Sequence, residues 1–143
     1  MNDRKRLCFF IMPFQPALNY FFLYLKRYIE EKYPGVECKR ADTSPRLGAI
    51  IDEIRHDIKN ADVIVADCTG NNPNVFYELG FAHALGKQVI LIAQSIADLP
   101  FDIQSLRSID YSQNQEAFLY ALDNALSYAL TRRYEEYYEY TFR

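Results

Sequence analysis

The sequence has no tryptophan, and among its 143 residues only five glycines, two histidines, two methionines and three cysteines. Each shortage removes a class of protein. So little glycine, with only six prolines, excludes collagen-like and low-complexity architectures. Cys8, Cys38 and Cys68 are widely spaced and odd in number, with no C-x-x-C pair. They make neither a disulfide framework nor a metal site, and read as reduced thiols packed in or beside strands. No apolar run approaches the roughly 20 residues that a membrane-spanning helix requires. The opening MNDRKR is polar and basic, and the apolar stretch after it breaks at Pro13 with no small-residue cleavage site. The expectation is therefore a cytoplasmic protein with no membrane partner. Neither charge dominates: 16 Lys and Arg face 19 Asp and Glu, for a net −3. That balance argues against a nucleic-acid partner, while leaving room for a local basic pocket. G-x-G-x-x-G and Walker patterns are both absent, so ATP-driven phosphoryl transfer is disfavoured.

What is present is globular. Half the residues are apolar or Tyr and 24% are charged. A single domain of this length buries roughly 68% of the surface its unfolded chain exposes, enough to stand without cross-links. Residues 7–12 (LCFFIM) form a continuous apolar run ended by Pro13, which suits a strand buried on both faces. Pro16 opens a helix whose apolar residues recur at Leu18, Phe21, Phe22, Leu25, Tyr28 and Ile29. Pro34-Gly35 ends it, and 36–39 is a short second strand. Ser44-Pro45 reads as the start of a helix carrying Ile50, Ile51, Ile54 and Ile58. Residues 62–67 (DVIVAD) are the most strand-like segment, and a dense run of turn formers, 68–74, follows. A third helix is expected over about 75–85 with Gly86 at its C′ position, then strands at 88–93 and 108–111, and a last helix over 115–131.

Strands alternating with helices imply a parallel sheet covered on both faces. The expected fold is a single flavodoxin-like, Rossmann-like α/β domain of about five parallel strands over residues 1–131, plus a Tyr-rich C-terminal helical tail, 132–143. In such sheets ligands bind beyond the carboxyl ends of the strands, near the switch in strand order. Three segments converge there: Met12-Pro13-Phe14, 67–74, and 94–102. Glu78 falls in the first turns of the third helix, where backbone N–H groups and the positive helix end are expected to keep it ionised. An ionised carboxylate beside a polar pocket can attack an anomeric carbon or stabilise an oxocarbenium-like centre. On residue chemistry alone the favoured reading is an ordinary acid at a helix start. Asp67 divides between a ligand contact and a cap for the Asn-rich turn, and Asn71, Asn72 and Asn74 between ligand contacts and turn formers. Arg40 and Asp42 read as solvated, and His83 as a buried, hydrogen-bonded residue rather than a catalytic one.

The segment DVIVADCTGNNPNVFYELGFAHALGKQVILIA resembles the core of the nucleoside 2-deoxyribosyltransferase-like superfamily. More closely, FFIMPF, RAD, NPNVFYELG and LPFDIQSLRSIDY together resemble a bacterial group described as TIR-like or nucleotide-binding. The likeness covers about residues 7–111. It implies that Glu78 is the nucleophile attacking C1′ of a sugar, that Phe14 stacks on the base, and that Asn72 takes the place of an Asp bonding the sugar hydroxyls. It also implies that Asp102 and Gln104 fall near positions reaching into a neighbouring subunit's site. Ile54 stands where those transferases carry a base-protonating Asp; Asp52, Glu53 and Asp57 are close, but none matches. Without that acid an ordinary purine leaves slowly, whereas an already cationic nicotinamide needs no protonation.

The expectation is an enzyme that cleaves or transfers at an N-glycosidic bond of a nucleoside, nucleotide or NAD-like dinucleotide, with no metal and no cofactor. Glu78 is catalytic, and Met12, Pro13, Phe14, Asp67, Asn72, Asn74 and Asp102 bind substrate. The alternatives are a non-catalytic, self-associating nucleotide-sensing module and a structural interaction domain. A homo-oligomer is expected, from Asp102, Gln104 and the tyrosines of the tail.

Overall fold

A computed structural model describes residues 4–41, 49–104, 106, 108–112 and 114–131, the side chains of residues 49–51 excepted. Asp42, Ser44-Pro45, the side chains of Ile50 and Ile51, and the tail 132–143 lie outside the described residues. The chain runs β1 (Arg6–Ile11), α1 (Pro16–Lys32), β2 (Val36–Arg40), α2 (Ala49–Asn60), β3 (Val63–Asp67), α3 (Pro73–Ala84), β4 (Val89–Ala93), α4 (Phe101–Gln104), β5 (Ser108–Asp110) and α5 (Gln115–Thr131). Two 3-10 turns, Thr69–Asn71 and Ile96–Asp98, and the one-turn α4 occupy the expected loops. The strands form one parallel sheet in the order β2-β1-β3-β4-β5, the expected flavodoxin-like arrangement.

The sheet is covered on both faces, so its central strands are apolar without alternation. All five residues of β3 are buried. On one face Cys8, Phe10 and Met12 of β1 and its continuation meet Leu18, Phe22, Leu25 and Ile29 of α1 and Phe118, Leu122 and Leu126 of α5. On the other, Phe9 and Ile11 meet Ile58 of α2 and Val75, Leu79 and Ala82 of α3. These helical residues recur every three or four positions, so each helix presents a single apolar stripe. Cys8, Cys38 and Cys68 are free and buried, and Cys8 pairs in register with Cys38. Gly86 takes the left-handed conformation (φ 71°) just past α3, where its N–H and that of Lys87 bond the carbonyls of His83 and Ala82.

Strand order reverses between β1 and β3, and α3 lies against both. This switch point carries the functional argument. Among the described residues no helix is long and apolar enough to cross a membrane.

Candidate active site

The carboxyl ends of β3, β4 and β5 are tied together by Asp67, which is only 1% exposed. Its Oδ1 accepts from the Thr69 backbone N–H (3.0 Å) and hydroxyl (2.6 Å), and its Oδ2 from the Tyr111 hydroxyl (2.9 Å). Thr69 Oγ1 in turn accepts from the Gln94 N–H at 2.9 Å. Tyr111 stacks on Phe21 with ring centroids 4.6 Å apart. Burial pushes the Asp67 carboxyl up from its usual range, and the bonds from Thr69 and Tyr111 pull part of that shift back. Of the two sequence readings the geometry matches the cap, for both oxygens are engaged within the protein. Nothing in the sequence marked Tyr111 as a partner of Asp67, since 44 positions separate the two.

The turn after β3 is built around two left-handed residues, Gly70 (φ 78°) and Asn71 (φ 52°). Glycine takes that conformation without steric cost, and asparagine is the residue that tolerates it next best. Asn71 Nδ2 donates to the Asp98 carbonyl at 2.8 Å, pinning this turn to the one after β4. Asn72 is the N-cap of α3: its Oδ1 accepts from the Asn74 N–H at 2.9 Å, and Pro73 follows at the first helical position. With that oxygen committed, Asn72 has amide N–H donors left for a ligand. Asn74 is exposed beside it.

Glu78 lies in the second turn of α3, on the flank of the buried Val75, Leu79 and Ala82 stripe. At 100° per residue Phe81 lies 60° from it round the helix, and Tyr77 a further 40° round, away from the stripe. Those two meet α2: Arg55 Nη2 donates to the Tyr77 hydroxyl at 2.9 Å, and its guanidinium is 5.9 Å from the Phe81 ring centroid. Both α2 and α3 pack against β1. Among the described residues nothing donates a hydrogen bond to its carboxylate. Desolvation pushes its pKa from 4.5 up to about 7. The expectation of a carboxylate held ionised by the helix end is thereby corrected. In the second turn the backbone N–H groups already bond within the helix, so burial goes unopposed.

This shift has a measurable sign. A folded-state pKa above the ordinary value means that the unfolded chain releases its proton first as pH rises. Stability therefore falls between about pH 4.5 and 7, and levels off above that. Glu78→Gln removes the titration, so the variant should be more stable than the parent by about 1–3 kcal/mol at pH 8, with little difference at pH 4.5. Urea unfolding at the two pH values measures this; a gap that does not change with pH would refute the buried, unpaired carboxylate.

The segment after β1 divides. Met12, 6% exposed, turns into the core with α1, and Pro13 is buried, whereas Phe14 is 56% exposed. Phe14 alone of the three presents its side chain to solvent. Asp102 is exposed in α4, next to Phe101, which is 82% exposed. Gln104 is exposed, and its Nε2 donates to the Leu99 carbonyl at 2.5 Å and the Ala97 carbonyl at 3.3 Å. His83 is exposed near the far end of α3, so the buried position expected for it is corrected. Its angle round the helix turns it off the apolar stripe. Ile54 packs against the α2–α3 core, consistent with its apolar character. Among the described residues, His, Cys, Asp and Glu form no cluster suited to a metal ion.

No family model matches the sequence, and no curated protein matches it. Solved structures do resemble the fold. A 2-desoxiribosyltransferase from Leishmania mexicana aligns with a TM-score of 0.63 at 16% identity, over 82% of this chain and 97% of that one. The CMP N-glycosidase BcmB from Clostridium botulinum aligns with a TM-score of 0.66 at 24% identity, over 82% and 98%. A Burkholderia pseudomallei protein described as pilus assembly-related reaches 0.51 at 12% identity, over 93% and 97%. One architecture thus serves differently described proteins, and function has to be argued from the site. At these identities the likeness establishes that this chain has the deoxyribosyltransferase-type α/β fold.

Proposed function

We propose that this chain cleaves or transfers at the N-glycosidic bond of a nucleoside, nucleotide or NAD-like dinucleotide. The observation that carries the reading is Glu78: a half-buried carboxylate, without a hydrogen-bond partner among the described residues, at the switch point of the sheet. A desolvated, unpaired acid costs stability and serves no structural contact, which is the mark of a group kept for chemistry. The first two structural likenesses support the reaction class, since both proteins are named as enzymes of that chemistry.

In the proposed mechanism a Glu78 oxygen attacks the anomeric carbon as the C–N bond breaks, and the bond electrons leave with the base. The glycosyl ester then passes to water, or to an acceptor base, and Glu78 is restored. Phe14 supplies an exposed aromatic face for the departing base, and Asn72 offers its amide donors to the sugar hydroxyls. Asn74 and Asp102 line the rim. With apolar Ile54 where an acid would protonate the base, a cationic leaving group such as nicotinamide is favoured, because it departs neutral without a proton donor.

The test is incubation with nucleosides, nucleotides and NAD, following released base by chromatography. Release from at least one substrate is expected, and kcat/KM should rise about tenfold per pH unit below about pH 7 and level off above it, as Glu78 ionises. No release across the panel would overturn the reading. The same position of Ile54 favours one alternative, a nucleotide-sensing module: ligand that raises the melting temperature and is recovered intact would select it.

We also propose a homo-oligomer. Phe101 beside Asp102, and Tyr20, Leu23 and Tyr24 along α1, leave apolar surface uncovered. Light scattering at tens of micromolar protein should report more than a monomer; a clean monomer refutes it.

A further inference from the structure

Most cations of the described residues are accounted for by the fold. Lys26 pairs with Glu30, Arg27 with Glu31, Lys32 with Asp123 and Lys39 with Asp57. Arg4, Arg6 and Lys87 donate to backbone carbonyls, and Arg55 to Tyr77. Arg40 is different. It ends β2 at the carboxyl edge of the sheet, in register with Phe10 of β1, and points to the α1 face. Its guanidinium carbon lies 5.1 Å from the Phe14 ring centroid and 5.5 Å from that of Phe22. Its single hydrogen bond among the described residues is a long one, Nη1 to Asn19 Oδ1 at 3.4 Å. No described carboxylate pairs with it, and the first turn of α1 beside it carries no acidic side chain. Burial lowers its pKa from the usual value, with no opposing charge among the causes.

A guanidinium has five N–H donors in one plane. Here two aromatic rings flank the guanidinium, while nearly all its donors lack an acceptor among the described residues. Contact with the two rings restricts the side chain in advance, so less rotamer freedom remains to be lost when an anion arrives. The fork geometry suits a phosphate, which it can engage through two parallel bonds. The flat partner and the charged partner are adjacent, for Arg40 lies against the same Phe14 whose ring is more than half exposed. A nucleotide has the complementary arrangement, an aromatic base and a phosphate joined by one sugar.

We propose that Arg40 binds the phosphate of the substrate, so that the site takes phosphorylated nucleotides in preference to nucleosides. This rests on the N-glycosidic reading for the rest of the ligand, but the anion contact is measurable without turnover. The probes are ribose 5-phosphate and ribose, titrated calorimetrically into the full chain at low salt. Ribose 5-phosphate should bind at least about tenfold more tightly than ribose, the difference that one charge-assisted contact supplies. Added salt should weaken that preference. Arg40→Gln should abolish it, and Arg40→Lys, which keeps the charge but loses the fork, should restore only part. Glu78→Gln, unable to turn substrate over, should retain it in full.

Equal binding of the two sugars, or a preference that survives in Arg40→Gln, would overturn the assignment. So would the absence of ribose 5-phosphate binding at millimolar concentration in the folded parent, a result that depends on no variant. Base release without phosphate preference would remove Arg40 and leave Glu78 standing. Phosphate preference without base release from any nucleotide would do the reverse.

Discussion

Glu78→Gln should lower base release at least about a hundredfold while the protein becomes more stable at neutral and alkaline pH. The two effects have one cause. The carboxylate sits where water is partly excluded and no donor among the described residues offsets the loss of hydration, so its charge raises the free energy of the folded state. In the proposed mechanism that same charge is what the anomeric carbon meets as the base departs. Glutamine keeps the shape and removes the charge, so it relieves the first effect and deletes the second. Such opposition between stability and activity is expected at functional sites and absent from ordinary helix-start acids, which stabilise their helices. The measurements are base release by chromatography and urea unfolding at pH 8. Full activity in the variant would sink the nucleophile assignment, and lower stability at pH 8 would show Glu78 to be a structural acid.

Asp67→Ala should be the most damaging single change outside the apolar core, destabilising the fold by about 3 kcal/mol or more. The substitution strands the Thr69 N–H and removes the acceptor of the Thr69 and Tyr111 hydroxyls, of which only one can donate to the other across their 2.8 Å separation, in a region where water does not reach Asp67. Tyr111→Phe removes a single bond to the same carboxylate and should cost about 1–2 kcal/mol. The combined variant should fall well short of the sum, because both deletions act on one network. Activity should fall in Asp67→Ala as well, since Thr69 opens the turn that leads through Asn71 and Asn72 into α3. Chemical denaturation of the two single variants and the double variant checks this. A stability within about 0.5 kcal/mol of the parent for Asp67→Ala would mean that the network does not hold the edge of the sheet together.

The fold was legible because its signals are local. The run LCFFIM, the β-branched VIVA, and the stripes of α1 and α5 each declare their type from neighbours within a few residues. The parallel order then follows from the alternation of strands and helices. Strand ends moved by a residue or so, and the one-turn α4 and both 3-10 turns were not foreseen, since short helices carry no periodicity to read. Phe14, Asn72, Asn74, Glu78 and Asp102 were named as candidates from the sequence, and the fold brings their segments to the carboxyl edge of one sheet.

What each of those residues offers a ligand was another matter. Met12 and Phe14 are two residues apart in one loop, yet one fills the core and the other faces solvent. Asp67 and Glu78 are both carboxylates near one edge, yet one is bonded by Thr69 and Tyr111 and the other has no described partner. Arg40 looked like a solvated cation until two aromatic rings were found against it. The sequence by itself determined the strands and long helices, their order and the segments that meet at the switch point, because backbone propensity and apolar periodicity are short-range properties. Only the tertiary structure decided which polar groups are spent on the protein and which remain for a ligand. Hydration, charge and hydrogen-bond partnership are set by atoms that may be forty or more positions away in the chain and a few ångströms away in space.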